Sequence, residues 1–321
     1  MIKEILKKEL KGLKTKEKPI AIQVPEGLKQ YSTEILDFFK DNEPILFVDP
    51  CYGACDTKDV EAKRLGCKLL IHFGHEPMNT QVIKTIYVPL KYELKSSEIK
   101  YILENIKKLN LKKINLVTTT QYLSVIPILK SELKKIKIEV LKGRETKRVK
   151  ENMVLGCDSS TIIDHTSPII FIGDGSFHVN NLAFIFGETQ KIYTISPILK
   201  EIKEIKIQDE FLRKRYAMIG IAKTKQRFGI LVSSKAGQER LGLAREIKKY
   251  LERNKREAYI FISDYIKEDY LVGINIDCYI NTACPRITYD DSLSFRKPVI
   301  SAIEAIRLFE KKEKIEIDQI S

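Results

Sequence analysis

Short runs of apolar and β-branched residues alternate along this chain with longer stretches in which Lys and Glu break up apolar positions set at helical spacing. The short runs read as strands, the charge-rich stretches as amphipathic helices, and their alternation predicts βαβ units with parallel sheets. The chain opens on a Lys-rich amphipathic helix that places Ile2, Ile5, Leu6, Leu10 and Leu13 on one face. The pattern then predicts strand 19–25, helix 27–40, strand 44–50, helix 56–65, strands 68–74 and 84–90, and a closing helix over 97–109. The middle third predicts strand 112–120, helix 122–135, strands 135–141 and 168–175, strands near 182–186 and 191–195, and a Lys/Glu-rich helix near 205–222. The last third predicts strand 227–234, helix 238–253 and strands 258–263, 277–284 and 297–302. The same strand–helix–strand–helix–strand theme returns in each third. The expected architecture is α/β, with three similar parallel-sheet domains at 1–109, 110–222 and 223–321.

Composition is consistent with this division. A chain of 321 residues exceeds the size at which one hydrophobic core stops growing. Charges interrupt every apolar stretch near the start before a secretory core can form, and no run reaches the length of a membrane span, so a soluble cytoplasmic protein is expected. The formal charge of +13 invites a nucleic-acid reading. The lysines, however, are interleaved with glutamates along helices and no base-stacking motif accompanies them, so direct nucleic-acid binding is not expected. Such basicity suits the steering of an acidic macromolecular partner.

In parallel α/β sheets, function collects in the loops after the carboxyl ends of strands. The loops there are DPCYGACD, HFGHEPM, GDGSFH and NTACPR. None is a Walker loop, and GDG lacks the third glycine of a dinucleotide fingerprint, which excludes ATP and NAD sites of those kinds. Six cysteines are too sparse for a disulfide scaffold. Three of them, Cys55, Cys157 and Cys284, sit in turn chemistry, one per third, spaced 102 and 127 residues apart. Close-set pairs grip a metal from one loop; dispersed thiols suggest three domains each pointing one ligand at a common centre, in a pseudo-three-fold arrangement. Three thiolates leave one iron of a four-iron cluster open to substrate. Cys67 and Cys278 read as core, and Cys51 is left open, since its C-x3-C spacing with Cys55 suits a pair on one helix face. His72 and His75 flank one strand end and His178 another, which suggests a lined cavity, and a mixed Cys/His zinc site is compatible with these residue types. Glu26, Lys235, Gln238 and Arg286 stand in or beside such loops as candidate cosubstrate contacts, with Gly237 allowing close backbone approach; His165 has no assigned role.

The motifs YGACD, HFGH, GDGSFH, SSKAGQ and ACPRI–YDD, in this order and preceded by VPEGL, resemble the archaeal 2-(3-amino-3-carboxypropyl)histidine synthase family of diphthamide biosynthesis, over about 20–302. The resemblance implies a homodimer in which Cys55, Cys157 and Cys284 hold a 4Fe–4S cluster whose open iron binds S-adenosylmethionine. It further implies cleavage of the methionine Cγ–S bond, release of 5′-methylthioadenosine, and addition of the 3-amino-3-carboxypropyl radical to C2 of a histidine imidazole in translation elongation factor 2. The electron donor is not encoded in any motif. On this footing Lys235, Gln238 and Arg286 are expected to clamp the aminocarboxypropyl end, with Gly74, His75 and Asp174 lining the cavity. Some relatives carry a basic residue where Ser176 stands in GDGSFH. The alternatives are a quinolinate-synthase-like iron–sulfur enzyme acting on small molecules, against which ACPRI and SSKAGQ argue, and a non-catalytic metal-stabilised interaction subunit.

Overall fold

The computed structural model describes residues 2–78, 81–175, 177–207, 209–310 and 315–320; Ser176 lies outside the described residues. The first unit runs α1 (Ile2–Gly12), β1 (Ile20–Gln23), α2 (Ser32–Phe38), β2 (Pro44–Phe47), α3 (Asp59–Arg64), β3 (Leu69–Phe73) and β4 (Lys84–Val88). Every residue of β1 and β3 is buried. Strands with no exposed face need cover on both sides, so IAIQ and LLIHF commit the chain to a parallel sheet flanked by helices. The sheet order is β2-β1-β3-β4, all parallel. Alternate residues serve its two faces. Ile20, Ile22, Leu69 and Ile71 meet Leu6, Leu10 and Ile35 of the helices, whereas Ala21 and Leu70 meet Ala62 and Cys67.

The second unit comprises α4 (Ser96–Lys108), β5 (Lys113–Thr118), α5 (Ile126–Lys135), β6 (Glu139–Val140), β7 (Ile169–Ile172), α6 (Phe177–Phe186), β8 (Ile192–Ser196) and β9 (Glu201–Ile205). The third comprises α7 (Asp209–Lys223), β10 (Arg227–Ser233), α8 (Leu241–Arg253), β11 (Glu257–Ser263), β12 (Cys278–Asn281), α9 (Pro285–Tyr289), β13 (Val299–Ser301) and α10 (Ala302–Ile306). Their sheet orders, β6-β5-β7-β8-β9 and β11-β10-β12-β13, repeat that of the first, with β9 added antiparallel at one edge. Three α/β sheets of one topology therefore follow one another along the chain.

Several expectations change. The residues near 182–186 belong to helix α6, not to a strand. Val179, Leu182, Ala183 and Phe186 fall at i, i+3, i+4 and i+7 and pack as one helical stripe on β7 and β8. The helix expected near 205–222 is preceded by strand β9, whose EIKEI hydrogen-bonds back to β8, and begins only at Asp209. The strand expected over 135–141 contracts to two residues, and the helix expected over 27–40 opens as a 3-10 turn at Glu26–Tyr31. The expected boundaries at 109 and 222 fall at the ends of α4 and α7. Ile102 and Ile106 of α4 pack in the core of β5, β7 and β8, and Ala222 of α7 packs in that of β10 and β12. Each unit thus opens on a helix, as α1 already does.

One buried ion pair ties the third unit together. Arg215 on α7 is 2% exposed and binds Glu304 from Nε at 2.9 Å and again from Nη2, while also donating to the carbonyls of Thr288 and Val299. Glu304 in turn accepts the backbone N–H of Ser301 at 2.7 Å, closing a capping box on α10. Replacing Arg215 with Ala leaves Glu304 buried without its counter-ion, with an expected loss of about 3–5 kcal/mol. It should be read as a lower urea midpoint, whereas Lys214→Ala on the exposed face should stay within about 0.5 kcal/mol.

Candidate active site

Cys55 lies in the loop between β2 and α3, a loop closed by Asp56 N–H donating to the Gly53 carbonyl at 3.0 Å. Cys157 lies in the long connection from β6 to β7, where Leu155 N–H meets the Asp158 carbonyl at 2.8 Å. Cys284 follows β12 and caps α9, and Asn281 shapes its turn. The Asn281 Oδ1 accepts Ala283 N–H, and its Nδ2 donates to the Cys284 carbonyl at 2.8 Å. All three thiols line one cavity of about 780 Å³. Cys284 does not occupy the position in its unit that the other two occupy in theirs, because it follows the third strand rather than the second.

The Cys55 loop and Arg148, nine residues before Cys157, are both fastened to residues 235–238 of the third unit. Gly237 N–H donates to the Cys55 carbonyl at 3.2 Å, and its own carbonyl accepts Arg148 Nη1 at 3.1 Å. Gln238 Nε2 donates to Cys55 Sγ at 3.3 Å, and Arg148 Nη2 lies 4.0 Å from Cys157 Sγ. From the far end of the chain, Ile320 N–H donates to the Cys157 carbonyl at 3.0 Å, Gln319 Oε1 accepts Ser159, and Asp318 pairs with Arg240.

Burial dominates the electrostatics. It pushes the Cys157 thiol up to about 12, with the Cys55 sulfur adding repulsion, and it raises Cys55 and Cys284 as well; Cys284 feels both other sulfurs. Three thiolates in one buried cavity need a compensating cation. An all-sulfur donor set brought together from three loops fits iron–sulfur ligation. Burial also pushes His75 and His178, both in the wall, down to about 4, so they stand as neutral imidazoles.

Of the other residues expected here, Gly74, His75, Lys235, Gln238 and Arg286 line the cavity. Gly74 holds φ +87°, and a Cβ there would meet Pro25 Cγ at 2.9 Å, so both conformation and space call for glycine. Arg286 spends Nη2 on Asp290 at 2.5 Å and stacks 4.3 Å from the Phe177 ring centroid, while its buried Nε and Nη1 have no partner. Lys235 reaches the wall with its ammonium already paired to Asp56 and set over the Tyr265 ring at 3.9 Å. Glu26 lies outside the cavity lining: it is solvent-exposed and paired with Lys29 at 2.7 Å. Asp174 also lies outside the lining, held by the hydroxyls of Tyr122 and Ser196. Sequence reasoning missed Arg148, which sits in TKRVK and looks there like any surface basic run. It also missed the acidic wall of Asp264, Glu268, Asp269, Asp290 and Asp291.

The family model for diphthamide synthesis proteins matches residues 24–319. The chain belongs to that family. It is 37% identical over 322 residues to the 2-(3-amino-3-carboxypropyl)histidine synthase of Pyrococcus horikoshii, covering 99% of this chain and 92% of that one. The enzyme of the same name from Methanocaldococcus jannaschii is 30% identical, covering 98% of this chain and 91% of its own. The crystal structure of Dph2 from Pyrococcus horikoshii with a 4Fe–4S cluster superposes with a TM-score of 0.86 at 34% identity, covering 99% of this chain and 93% of that chain.

A methyl group at Gly156 would collide with the Phe177 ring that supports Arg286. Gly156→Ala is therefore expected to displace that ring and to destabilise the fold by about 1–3 kcal/mol, read as a lower urea midpoint.

Proposed function

We propose that this chain transfers the 3-amino-3-carboxypropyl group of S-adenosylmethionine to C2 of a histidine imidazole in translation elongation factor 2, the opening step of diphthamide formation. The observation that carries the reading is the meeting of three thiols from three sheets in one cavity, with the unpaired donors of Arg286 beside Cys284. Cys55, Cys157 and Cys284 would hold a 4Fe–4S cluster. When bound and reduced, that cluster supplies the electron that breaks the Cγ–S bond of the sulfonium.

The remaining roles belong to the chain. Arg286 Nε and Nη1 form an open guanidinium edge suited to a carboxylate. The carboxylates of Asp264, Glu268, Asp269, Asp290 and Asp291 give an otherwise basic chain an acidic wall. That wall suits a cosubstrate carrying an ammonium and a sulfonium. Gln238 and Arg148 direct N–H groups at Cys55 and Cys157 and so help to carry thiolate charge. Lys235 works through Asp56, locking the Cys55 loop to the third unit. Neutral His75 and His178 leave that part of the wall uncharged.

The test is anaerobic cluster reconstitution followed by a strong reductant and S-adenosylmethionine, with and without the elongation factor. Methylthioadenosine and a modified histidine are expected, and 5′-deoxyadenosine in their place would sink the proposal. Cys284→Ala should lose most of the about four irons per chain. Arg286→Lys should keep its iron while S-adenosylmethionine binds about 10- to 100-fold more weakly, about 1.4–2.8 kcal/mol.

A further inference from the structure

Beside the three-cysteine cavity lies a second set of donors. Cys51 Sγ, one ring nitrogen of His72 and one of His75 all fall within 4.8 Å of one another. Cys51 is 5% exposed and His72 is fully buried. These three come from the amino-terminal part of the DPCYGACD loop and from the carboxyl end of β3.

The tautomer of His72 follows from its neighbour. Gln23 is the register partner of His72 on β1. The Gln23 Nε2 donates to the Asp56 carbonyl at 2.7 Å, and its Oε1 accepts the Lys58 N–H at 3.2 Å, which fixes the amide orientation. That same Oε1 stands 2.9 Å from His72 Nδ1, so Nδ1 carries the proton and Nε2 presents its lone pair. A histidine whose outer N–H is held by an amide oxygen while its other nitrogen faces inward is the arrangement of a metal-bound imidazole. Nε2 points to His75 Nδ1 at 2.9 Å. Two further groups are left wanting. The Tyr87 hydroxyl is buried without a partner, its ring 5.2 Å from that of His72, and Asp56 Oδ2 is buried without a partner as well.

We propose that Cys51, His72 and His75 form a second metal site, beside the three-cysteine cavity and sharing His75 with its wall, that takes one divalent ion of the zinc class. One sulfur and two imidazole nitrogens are a donor set zinc accepts, with a fourth position for water. On binding, the Cys51 thiol gives its proton to solvent, and the His75 proton moves from Nδ1 to Nε2. The Tyr87 hydroxyl can then pair with the metal-bound water, and the Asp56 carboxylate offsets part of the ion's charge. The ion ties the Cys55 loop to the end of β3, four residues before the cluster ligand. This assignment is independent of the transferase reading, and its test does not use catalysis.

The full chain is purified anaerobically with its iron–sulfur cluster reconstituted and zinc supplied at stoichiometry, then assayed for metal content and by X-ray absorption at the zinc edge. The expected result is about one zinc per chain, with one sulfur at about 2.3 Å and two nitrogens at about 2.0–2.1 Å. Cys51→Ala and His72→Ala should lower zinc occupancy at least about tenfold with iron unchanged, and Gln23→Ala should weaken zinc affinity about 10- to 100-fold. Three sulfurs around zinc would place the ion on Cys55, Cys157 and Cys284 and overturn the proposal. So would wild-type protein free of zinc, or zinc retained in both ligand variants. If a variant fails to fold, the wild-type absorption spectrum alone decides.

Discussion

Charge on buried sulfur is the constraint from which the rest of this structure follows. Cys55, Cys157 and Cys284 occupy a cavity where desolvation and mutual repulsion both oppose the thiolate. Such an arrangement is costly in any protein that does not use it, because the same three positions could hold small apolar side chains. The surrounding donors answer that cost only in part. Gln238 and Arg148 each turn one N–H toward a sulfur, and three thiolates there would need a cation to complete the compensation.

The α/β repeat explains how sulfurs so distant in sequence can meet. A parallel sheet sends all its loops of one kind to a single edge, and three such sheets offer three edges. The units do not use equivalent loops, however, since Cys284 follows β12 whereas Cys55 and Cys157 follow the second strand of their sheets. Polar contacts help to join the units, with Gly237 between the Cys55 carbonyl and Arg148, and Lys58 bridging to Asp264 at 3.1 Å. Aromatic packing adds to them, since Phe184 of the second unit stacks on Phe211 of the third at 3.9 Å.

Much of this was legible in the sequence, and the failures have identifiable causes. Strands such as IAIQ and PIIFI are short, apolar and bounded by turn residues, so the α/β class could be read directly, and the three cysteines stood out because turn chemistry surrounds them. The α6 helix was misread because its LAFIF run looks strand-like unless the stripe is followed back to Val179. Helices α4 and α7 follow one sheet and pack on the next, a long-range choice that no local pattern records. Arg148, Asp174 and Lys235 mark the same limit at the site. Residue type announces a charge, but only the fold shows that Arg148 turns inward, that Asp174 is held by Tyr122 and Ser196, and that Lys235 is already paired.

The brace that residues 318–320 place on the second unit has a consequence for timing. Ile320 holds the Cys157 carbonyl and Gln319 holds Ser159, so the loop carrying the middle sulfur is secured by residues synthesised 163 positions later. During translation the first two sheets can fold while this loop still lacks its support. Any ion shared by the three sulfurs would therefore meet its complete site only after the chain has passed Ile320.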